Sequence, residues 1–157
     1  MEKITPCLWF DTQGEEAAQF YVSVFPNSRI GRVLRYGDAG PRAAGSVMTV
    51  EFELDGRPFI ALNGGPEFTF TEAVSFQIDC ADQAEVDYYW EKLGEGGEYG
   101  PCGWLKDRYG LSWQVVPTLL TELVADADPA KSQAVMRAML GMGKIVVSEL
   151  QEAYDTA

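Results

Sequence analysis

The amino-acid sequence predicts an α+β protein that contains two βαβββ modules and a set of C-terminal helices. Apolar and polar residues alternate in strand-length segments, and a strand-helix unit recurs with an offset of about 68 residues. After Pro117 the apolar spacing becomes helical. Since 157 residues is close to the commonest domain size, we expect a single domain over 1–157. Its expected parts are module one at about 1–66, module two at about 73–117 and a helical tail at 118–157.

The first module has the pattern of a strand, a helix and three further strands. We expect a helix at 14–25, with Gly14 as its N-cap, and strands at 3–10, 29–36, 48–54 and 57–62. The segment 48–54 alternates strictly between apolar and polar residues, as a half-buried strand does. Asp55 and Gly56 follow this strand and predict a tight hairpin turn, because both residue types tolerate positive φ angles.

The second module repeats this order. We expect a helix at 82–93 and strands at 73–79, 104–109 and 111–116. Asp82 followed three residues later by Glu85 is a helix-start signal, and the repeat aligns Asp82 with Gly14. The segment 94–97 is glycine-rich, but it follows a helix and lacks the lysine of a phosphate-binding loop. We therefore interpret it as a flexible loop.

The tail is predicted to be helical. We expect helices at 118–124 and 130–140, the second opened by Asp128 as N-cap and by Pro129 in the first turn. A last helix begins at about Ile145, and its apolar stripe consists of Val146, Leu150, Ala153 and Tyr154. This stripe must cover either the sheet or a second subunit, and a tail of this kind indicates a homodimer.

Charge and composition exclude several classes of partner. The chain has 24 acidic and 12 basic residues, and its net charge of −12 repels nucleic-acid phosphates and anionic lipid surfaces. The sequence shows no apolar run of about eighteen residues and no signal-peptide pattern. Cys7, Cys80 and Cys102 are widely spaced and form no CxxC pair, which fits reduced thiols. We therefore expect a cytoplasmic protein that binds neither nucleic acid nor membranes.

Few residues are candidates for covalent or acid-base chemistry. The chain has no histidine, so a Cys-His mechanism is excluded. Lys106 is a candidate either to pair with an anionic substrate group or to act as a base, if desolvation lowers its pKa. Cys102 is the more reactive cysteine candidate because it lies in a predicted loop. Catalytic residues therefore stay unassigned.

Three passages of the chain resemble a known group of proteins. These passages are 4–25, 102–117 and 128–145, so they are distributed from near the first residue to near the last. They resemble the vicinal oxygen chelate superfamily, which includes glyoxalase and the bleomycin-resistance proteins. The narrower resemblance is to its PhnB-like branch, also labelled 3-demethylubiquinone-9 3-methyltransferase-like. The resemblance implies two βαβββ modules that form a half-open barrel, with the site on the concave face, usually in a homodimer.

The resemblance also implies positions for a metal. Enzymes of the superfamily typically hold a divalent metal with His and Glu ligands from the first and last strands of each module. The resemblance places Pro6, Ala73 and Gln114 at three of these positions, and either Ile60 or Asn63 at the fourth. None of them supplies an imidazole or a carboxylate, so we expect no transition metal and no cofactor. A hard ion such as magnesium on surface carboxylates is the remaining alternative.

The candidate ligand-binding residues are Trp9, Asn63, Trp104, Lys106, Ser112 and Gln114. In the last predicted strand, Ser112 and Gln114 share one face and alternate with Trp113. A neutral amide at Gln114 would orient a ligand carbonyl or hydroxyl without transferring a proton. Trp9, Trp104 and Trp113 are candidates for a flat aromatic wall against a ring-shaped ligand.

The predicted function is the metal-independent binding of a small organic molecule. The alternative is an enzyme that acts on a small carbonyl or aromatic substrate, either glyoxalase-like or dioxygenase-like, or the methyltransferase that the branch label names. Against the methyltransferase, the chain has no glycine-rich turn between a first parallel strand and its helix.

Overall fold

The chain folds into two compact units. The computed structural model describes residues 3–157, and the boundary between the units lies between Phe70 and Thr71. The first unit contains β1 (Cys7–Phe10), α1 (Gly14–Val24), β2 (Arg29–Arg35), β3 (Val47–Leu54) and β4 (Arg57–Asn63). The second contains β5 (Ser75–Cys80), α2 (Gln83–Gly94), β6 (Glu98–Tyr99), β7 (Trp104–Lys106), β8 (Ser112–Pro117), α3 (Thr118–Val124), α4 (Pro129–Leu140) and α5 (Val147–Asp155).

The two units have the same sheet topology. The strand order is β1-β4-β3-β2 in the first sheet and β5-β8-β7-β6 in the second. In each sheet the first and last strands of the module pair in parallel, and the other neighbours pair antiparallel. This equivalence confirms the predicted α+β class with two βαβββ modules, and it explains the sequence repeat. Neither sheet closes on itself within residues 3–157.

The core of the first unit lies between α1 and one face of its sheet. The helix buries Ala17, Ala18, Tyr21 and Val24, which recur at helical spacing. The Tyr21 ring stacks on Phe52 of β3 with ring centroids 6.3 Å apart. Between β3 and β4, Asp55 and Gly56 have φ angles of 50° and 80°. The predicted tight turn is therefore present.

The start of α1 differs from the prediction. Gln13, not Gly14, is the N-cap, and its side chain makes no capping bond within the described chain. The amide of Gly14 instead donates to Oδ1 of Asn63 at 2.7 Å, while Nδ2 of Asn63 donates to the Val47 carbonyl at 3.2 Å. Asn63 is 7% exposed. A side chain distant in sequence thus satisfies the first amide of the helix, which local patterns do not reveal.

The second unit confirms the predicted start of α2. Asp82 is the N-cap, its Oδ1 accepts from the Glu85 amide at 3.0 Å, and the Glu85 side chain accepts from the Ala81 amide. The two-residue strand β6 was not predicted. It pairs with β7, and Gly97 lets the two backbone segments approach closely. A Cβ at Gly97 would lie 2.0 Å from the Lys106 carbonyl oxygen.

The tail packs within the second unit. The predicted caps of α4 are present, since Asp128 accepts from the Ala130 amide and Pro129 opens the helix. The last helix starts two residues later than predicted, at Val147. Its stripe residue Leu150 is fully buried in a cluster with Val116, Leu120, Leu123, Val135 and Ile145. The stripe therefore covers α3, α4 and the end of β8. No helix in 3–157 has the length and apolarity needed to cross a membrane.

The role of Asn63 gives a testable prediction for stability. Replacing Asn63 with Ala should leave the buried Gly14 amide unpaired and lower the free energy of unfolding by about 2 kcal/mol. The matched control is Gln13→Ala at the same helix end, which should cost less than about 0.5 kcal/mol. Urea unfolding followed by circular dichroism measures both. Equal losses in the two variants would contradict the assignment of Asn63 as the anchor of α1.

Candidate functional site

The register between β7 and β8 brings four candidate residues to one face of the second sheet. Trp104 pairs with Gln114, and Lys106 pairs with Ser112. Paired residues on neighbouring strands project to the same side, whereas the intervening Leu105 projects to the other side and is buried. We call the side of Trp104, Lys106, Ser112 and Gln114 the site face.

A cavity of about 460 Å³ opens next to these strands. Three of the candidate residues line it, namely Trp104, Lys106 and Ser112. The other lining residues are Glu72, Glu98, Tyr99, Gly100, Pro101, Cys102 and Leu105. The volume is in the range of small-molecule sites, and most of the exposed surface of the cavity wall is apolar.

Ser112 lines this cavity and carries a buried hydroxyl that is unpaired. The residue is 1% exposed, and its Oγ has no hydrogen-bond partner among residues 3–157. A buried polar group without a partner costs roughly 1–3 kcal/mol. A ligand carbonyl or hydroxyl in the cavity would remove this cost. Ser112 is therefore the residue of the site face that lacks a polar partner, and a ligand atom that reaches its Oγ would supply one.

Lys106 forms an ion pair with Glu72 at the cavity wall. Its hydrogen bond with Glu72 raises the pKa of the Lys106 ammonium, and the same bond lowers the pKa of the Glu72 carboxyl. The negative charge of Glu98, which pairs with Lys106 between β6 and β7, raises the pKa of Lys106 further. A lysine acting as a base needs a lowered pKa, so the base role considered from the sequence is not supported.

Gln114 lies on the site face but does not line the cavity. Its Nε2 donates to Ser75 Oγ at 2.9 Å, and Gln114 pairs with Gln77 between β8 and β5. The expected fifth-strand position, Ala73, lies before the start of β5. The amide of Gln114 thus has a protein partner, although its oxygen remains able to accept from a ligand.

The remaining two candidates, Trp9 and Asn63, belong to the first unit. Trp9 donates from Nε1 to the Gly65 carbonyl at 2.8 Å, and the Phe68 ring meets it edge-on with centroids 4.9 Å apart. Asn63 lies on the face that packs against α1, and both ends of its amide are bonded there. This placement favours a structural role for Asn63.

Asp107 anchors the turn that joins β7 to β8. The residue is 2% exposed, and its Oδ1 accepts from the amides of Tyr109 and Leu111 at 2.8 and 3.1 Å. Its Oδ2 accepts from Nε1 of Trp113 at 2.9 Å. The Trp113 side chain therefore lies on the side opposite the site face, and it does not line the cavity.

Sequence reasoning missed several lining residues. Glu98 and Tyr99 lie in the unpredicted strand β6, and Glu72 lies in the segment that precedes β5. A signal for Glu98 existed, since an acidic residue opposite a lysine is a favourable cross-strand pair. No local pattern marks Glu72, because its contact with Lys106 spans more than thirty residues of chain.

The residues present do not fit the metal site that the resemblance implies. Across the parallel pair β1 and β4, Cys7 pairs with Ile60 and Trp9 with Leu62; across β5 and β8, Gln77 pairs with Gln114. Apart from the single thiol of Cys7, these are neutral amide and hydrocarbon side chains, which lack the donor strength that zinc, nickel or iron requires. Within 3–157, no group of three His, Cys, Asp or Glu residues is arranged to hold an ion.

The three cysteines are free thiols in different environments. Cys80 is fully buried, and this burial raises its pKa to about 12, with the charges of Glu85 and Asp79 adding to the effect. Burial also raises the pKa of Cys7, although part of that residue is exposed. Cys102 is half-buried and lines the cavity.

The chain is similar to one protein family over most of its length. The family model described as 3-demethylubiquinone-9 3-methyltransferase matches residues 2–116. A putative 3-demethylubiquinone-9 3-methyltransferase, PhnB protein, from Bacillus cereus is 35% identical, with a TM-score of 0.66, and the match covers 74% of this chain and 99% of that one. No curated protein matches the chain.

More distant structures share the fold. Protein PA1353 from Pseudomonas aeruginosa has a TM-score of 0.62 at 21% identity, covering 74% of this chain and 98% of that protein. The fosfomycin resistance protein FosX from Mesorhizobium loti has a TM-score of 0.54 at 18% identity, covering 80% of this chain and 100% of that protein. At these identities the similarity establishes the fold alone.

The thiol environments give a testable prediction. Iodoacetamide at pH 8 should alkylate Cys7 and Cys102 in the native protein and leave Cys80 unmodified, because only the thiolate reacts. Cys80 remains a neutral thiol at every pH well below about 12 and becomes reactive only as the pH rises towards that value or the protein unfolds. Peptide mass mapping measures the modification, with protein unfolded in urea as the control. Alkylation of Cys80 at a rate similar to Cys102 would contradict this arrangement.

Proposed function

Since this chain belongs to the 3-demethylubiquinone-9 3-methyltransferase family of the vicinal oxygen chelate superfamily, we propose that it binds a small, flat organic molecule without a protein-bound metal. The observation that carries the proposal is the buried, unpaired hydroxyl of Ser112 at a cavity with a mainly apolar wall. Apolar burial would supply affinity, and a hydrogen bond to Ser112 would orient the ligand. The Trp104 indole would contact a ring.

The charges at the cavity favour a neutral or cationic ligand. Glu72 and Glu98 carry two negative charges and Lys106 carries one positive charge, so these three residues contribute −1 in total. The chain as a whole has a net charge of −12 and repels anions at longer range. Lys106 is already paired with Glu72, so an anionic ligand would have to displace that carboxylate.

The proposal includes a homodimer in a reducing compartment, as the sequence predicts for a cytoplasmic protein. The three free cysteines support the compartment, since disulfides are rare in reducing surroundings. The superfamily resemblance supports the dimer. The α5 stripe does not support the dimer, because Leu150 and Tyr154 of this stripe pack inside the second unit. The acidic net charge supports a protein whose partner is neither nucleic acid nor a membrane.

A second candidate function is methyl transfer to an aromatic substrate, which the name of the family suggests. Methyltransferases commonly hold S-adenosylmethionine with a glycine-rich turn between a strand and a helix. The turn between β1 and α1, residues 11–13, contains no glycine, so the chain lacks this backbone feature. Equilibrium dialysis with S-adenosylmethionine tests this candidate, and saturable binding at one site per chain would favour it over simple binding.

Binding of three matched naphthalenes tests the proposed ligand class. We expect neutral 1-naphthol and cationic 1-naphthylmethylamine to shift the amide signals of Trp104, Lys106 and Ser112 in NMR titrations, and anionic 1-naphthoate to bind about tenfold more weakly than 1-naphthol. Replacing Ser112 with Ala should weaken 1-naphthol binding by about tenfold, since a hydrogen bond is lost. Lys106→Gln should instead strengthen binding of the cation by a few-fold, because it removes a positive charge.

The matched control is Ser148→Ala, which changes an exposed serine of α5 in the same unit. It should leave 1-naphthol binding unchanged. The proposal is wrong if 1-naphthol causes no saturable shifts in the wild-type protein, or if Ser112→Ala and Ser148→Ala bind it equally well.

Native mass spectrometry tests the dimer and the metal-free site together. Protein as purified, and after incubation with zinc, nickel, manganese or iron, should have the mass of a dimer without a stoichiometric metal. We expect no bound metal because the side chains on the paired strands offer too few strong metal ligands. One transition-metal ion per subunit would contradict the metal-free site, and a monomer at micromolar concentration would contradict the dimer.

A further inference from the structure

We propose that the C-terminal helices position one wall of the cavity and thereby determine its affinity for a ligand. The connection between α4 and α5, residues 141–146, is the part that acts on the wall. This inference rests on the proposed binding function. It concerns a part of the chain beyond the family match, which ends at residue 116.

The wall in question is the loop of residues 100–103. Gly100, Pro101 and Cys102 line the cavity, and the loop leads directly into Trp104 at the start of β7. Its backbone turns sharply, with φ angles of 58° at Cys102 and 82° at Gly103. A positive φ is unfavourable for a cysteine, so this conformation persists only if surrounding contacts hold it.

The connection between α4 and α5 supplies those contacts. The amide of Cys102 donates to the Met142 carbonyl at 2.7 Å, and the amide of Gly103 donates to the Gly143 carbonyl at 2.8 Å. On the other side of the loop, the Gly103 carbonyl accepts a hydrogen bond from the Val115 amide of β8 at 2.8 Å. The loop is thus held between the sheet that carries Ser112 and the tail.

Packing adds to these hydrogen bonds. A Cβ built on Gly103 would lie 2.8 Å from the Val115 carbonyl oxygen and 3.1 Å from Cγ1 of Ile145. Ile145 is fully buried in the cluster formed with the three tail helices. Any shift of Ile145 therefore reaches the loop directly, and the tail cluster fixes where Ile145 lies.

Gln83 of α2 fixes the connection from the outside. Its Nε2 donates to the Ile145 carbonyl at 3.0 Å, and its Oε1 accepts from the Val147 amide at 2.7 Å. Gln83 also donates to Asp87 at 2.9 Å, one helical turn away. Gln83 does not line the cavity, so it is a positioning residue that acts through the connection and the loop.

The chain offers a close control for a test of Gln83. Gln151 of α5 donates to Asp155 at 2.9 Å, also one turn away on the same helix. Gln83→Ala and Gln151→Ala therefore both remove a glutamine that bonds an aspartate four residues later. Only Gln83→Ala removes the bonds to Ile145 of the connection and to Val147 at the start of α5. Gln83→Glu keeps an acceptor for the Val147 amide and should give an intermediate result.

Two measurements on the full-length variants test the inference. In NMR hydrogen exchange, Gln83→Ala should speed exchange of the Cys102 and Gly103 amides by about tenfold, and Gln151→Ala by less than about twofold. In titrations, Gln83→Ala should weaken binding of 1-naphthol by about threefold to tenfold, with Gln151→Ala matching the wild-type protein. Circular dichroism checks that the thermal midpoints of the two variants are similar.

The outcomes separate this inference from the proposed function. If the wild-type protein binds 1-naphthol and the two variants agree in both exchange and affinity, the positioning role is wrong while the binding function stands. If exchange at Cys102 and Gly103 rises in Gln83→Ala but affinity does not change, the tail holds the loop without tuning the site, and the inference is overturned. Failure of the wild-type protein to bind 1-naphthol overturns the proposed function itself.

Discussion

The cavity depends on the buried carboxylate of Asp107. Its carboxylate accepts hydrogen bonds from two amides of its own turn and from the Trp113 indole. These bonds fix the number of residues in the turn between β7 and β8. Turn length sets the register of an antiparallel pair, and a slip of one residue would reverse the faces of every side chain. Asp107 thereby places Lys106 opposite Ser112 and directs Trp113 away from the site face.

The first unit uses a different polar group for a related purpose. Asn63, at the end of β4, bonds the first amide of α1 and the carbonyl at the start of β3. The two units share strand order and helix placement, yet the polar groups that fix their geometry lie at different points of the module. A repeated fold of this kind constrains topology through apolar packing, while individual buried polar groups are free to differ between the halves.

The charge states of the groups at the cavity agree with the proposed binding function. The ionisable groups at the cavity that are shifted, Lys106 and Glu72, are shifted towards their charged forms, which suits electrostatic positioning better than proton transfer at neutral pH. The buried Cys80 is shifted towards its neutral form. Ser112 offers a hydrogen bond, and the surrounding aromatic and apolar wall offers burial. Within such a site, small displacements of the wall alter affinity, because the ligand contacts are short-ranged.

The sequence by itself determined the elements that depend on local interactions. The alternation of β3, the tight turn at Asp55 and Gly56, the capped starts of α2 and α4 and the repeat of the module are all encoded within a few residues. Part of the site face could also be predicted from the sequence, because alternation alone assigns Ser112 and Gln114 to one side of a strand. Only the tertiary structure decided that Asn63 anchors a helix, that Glu72 pairs with Lys106, and that the tail holds the loop at Cys102. These contacts join residues far apart in sequence, and their formation depends on three-dimensional packing that no local pattern records.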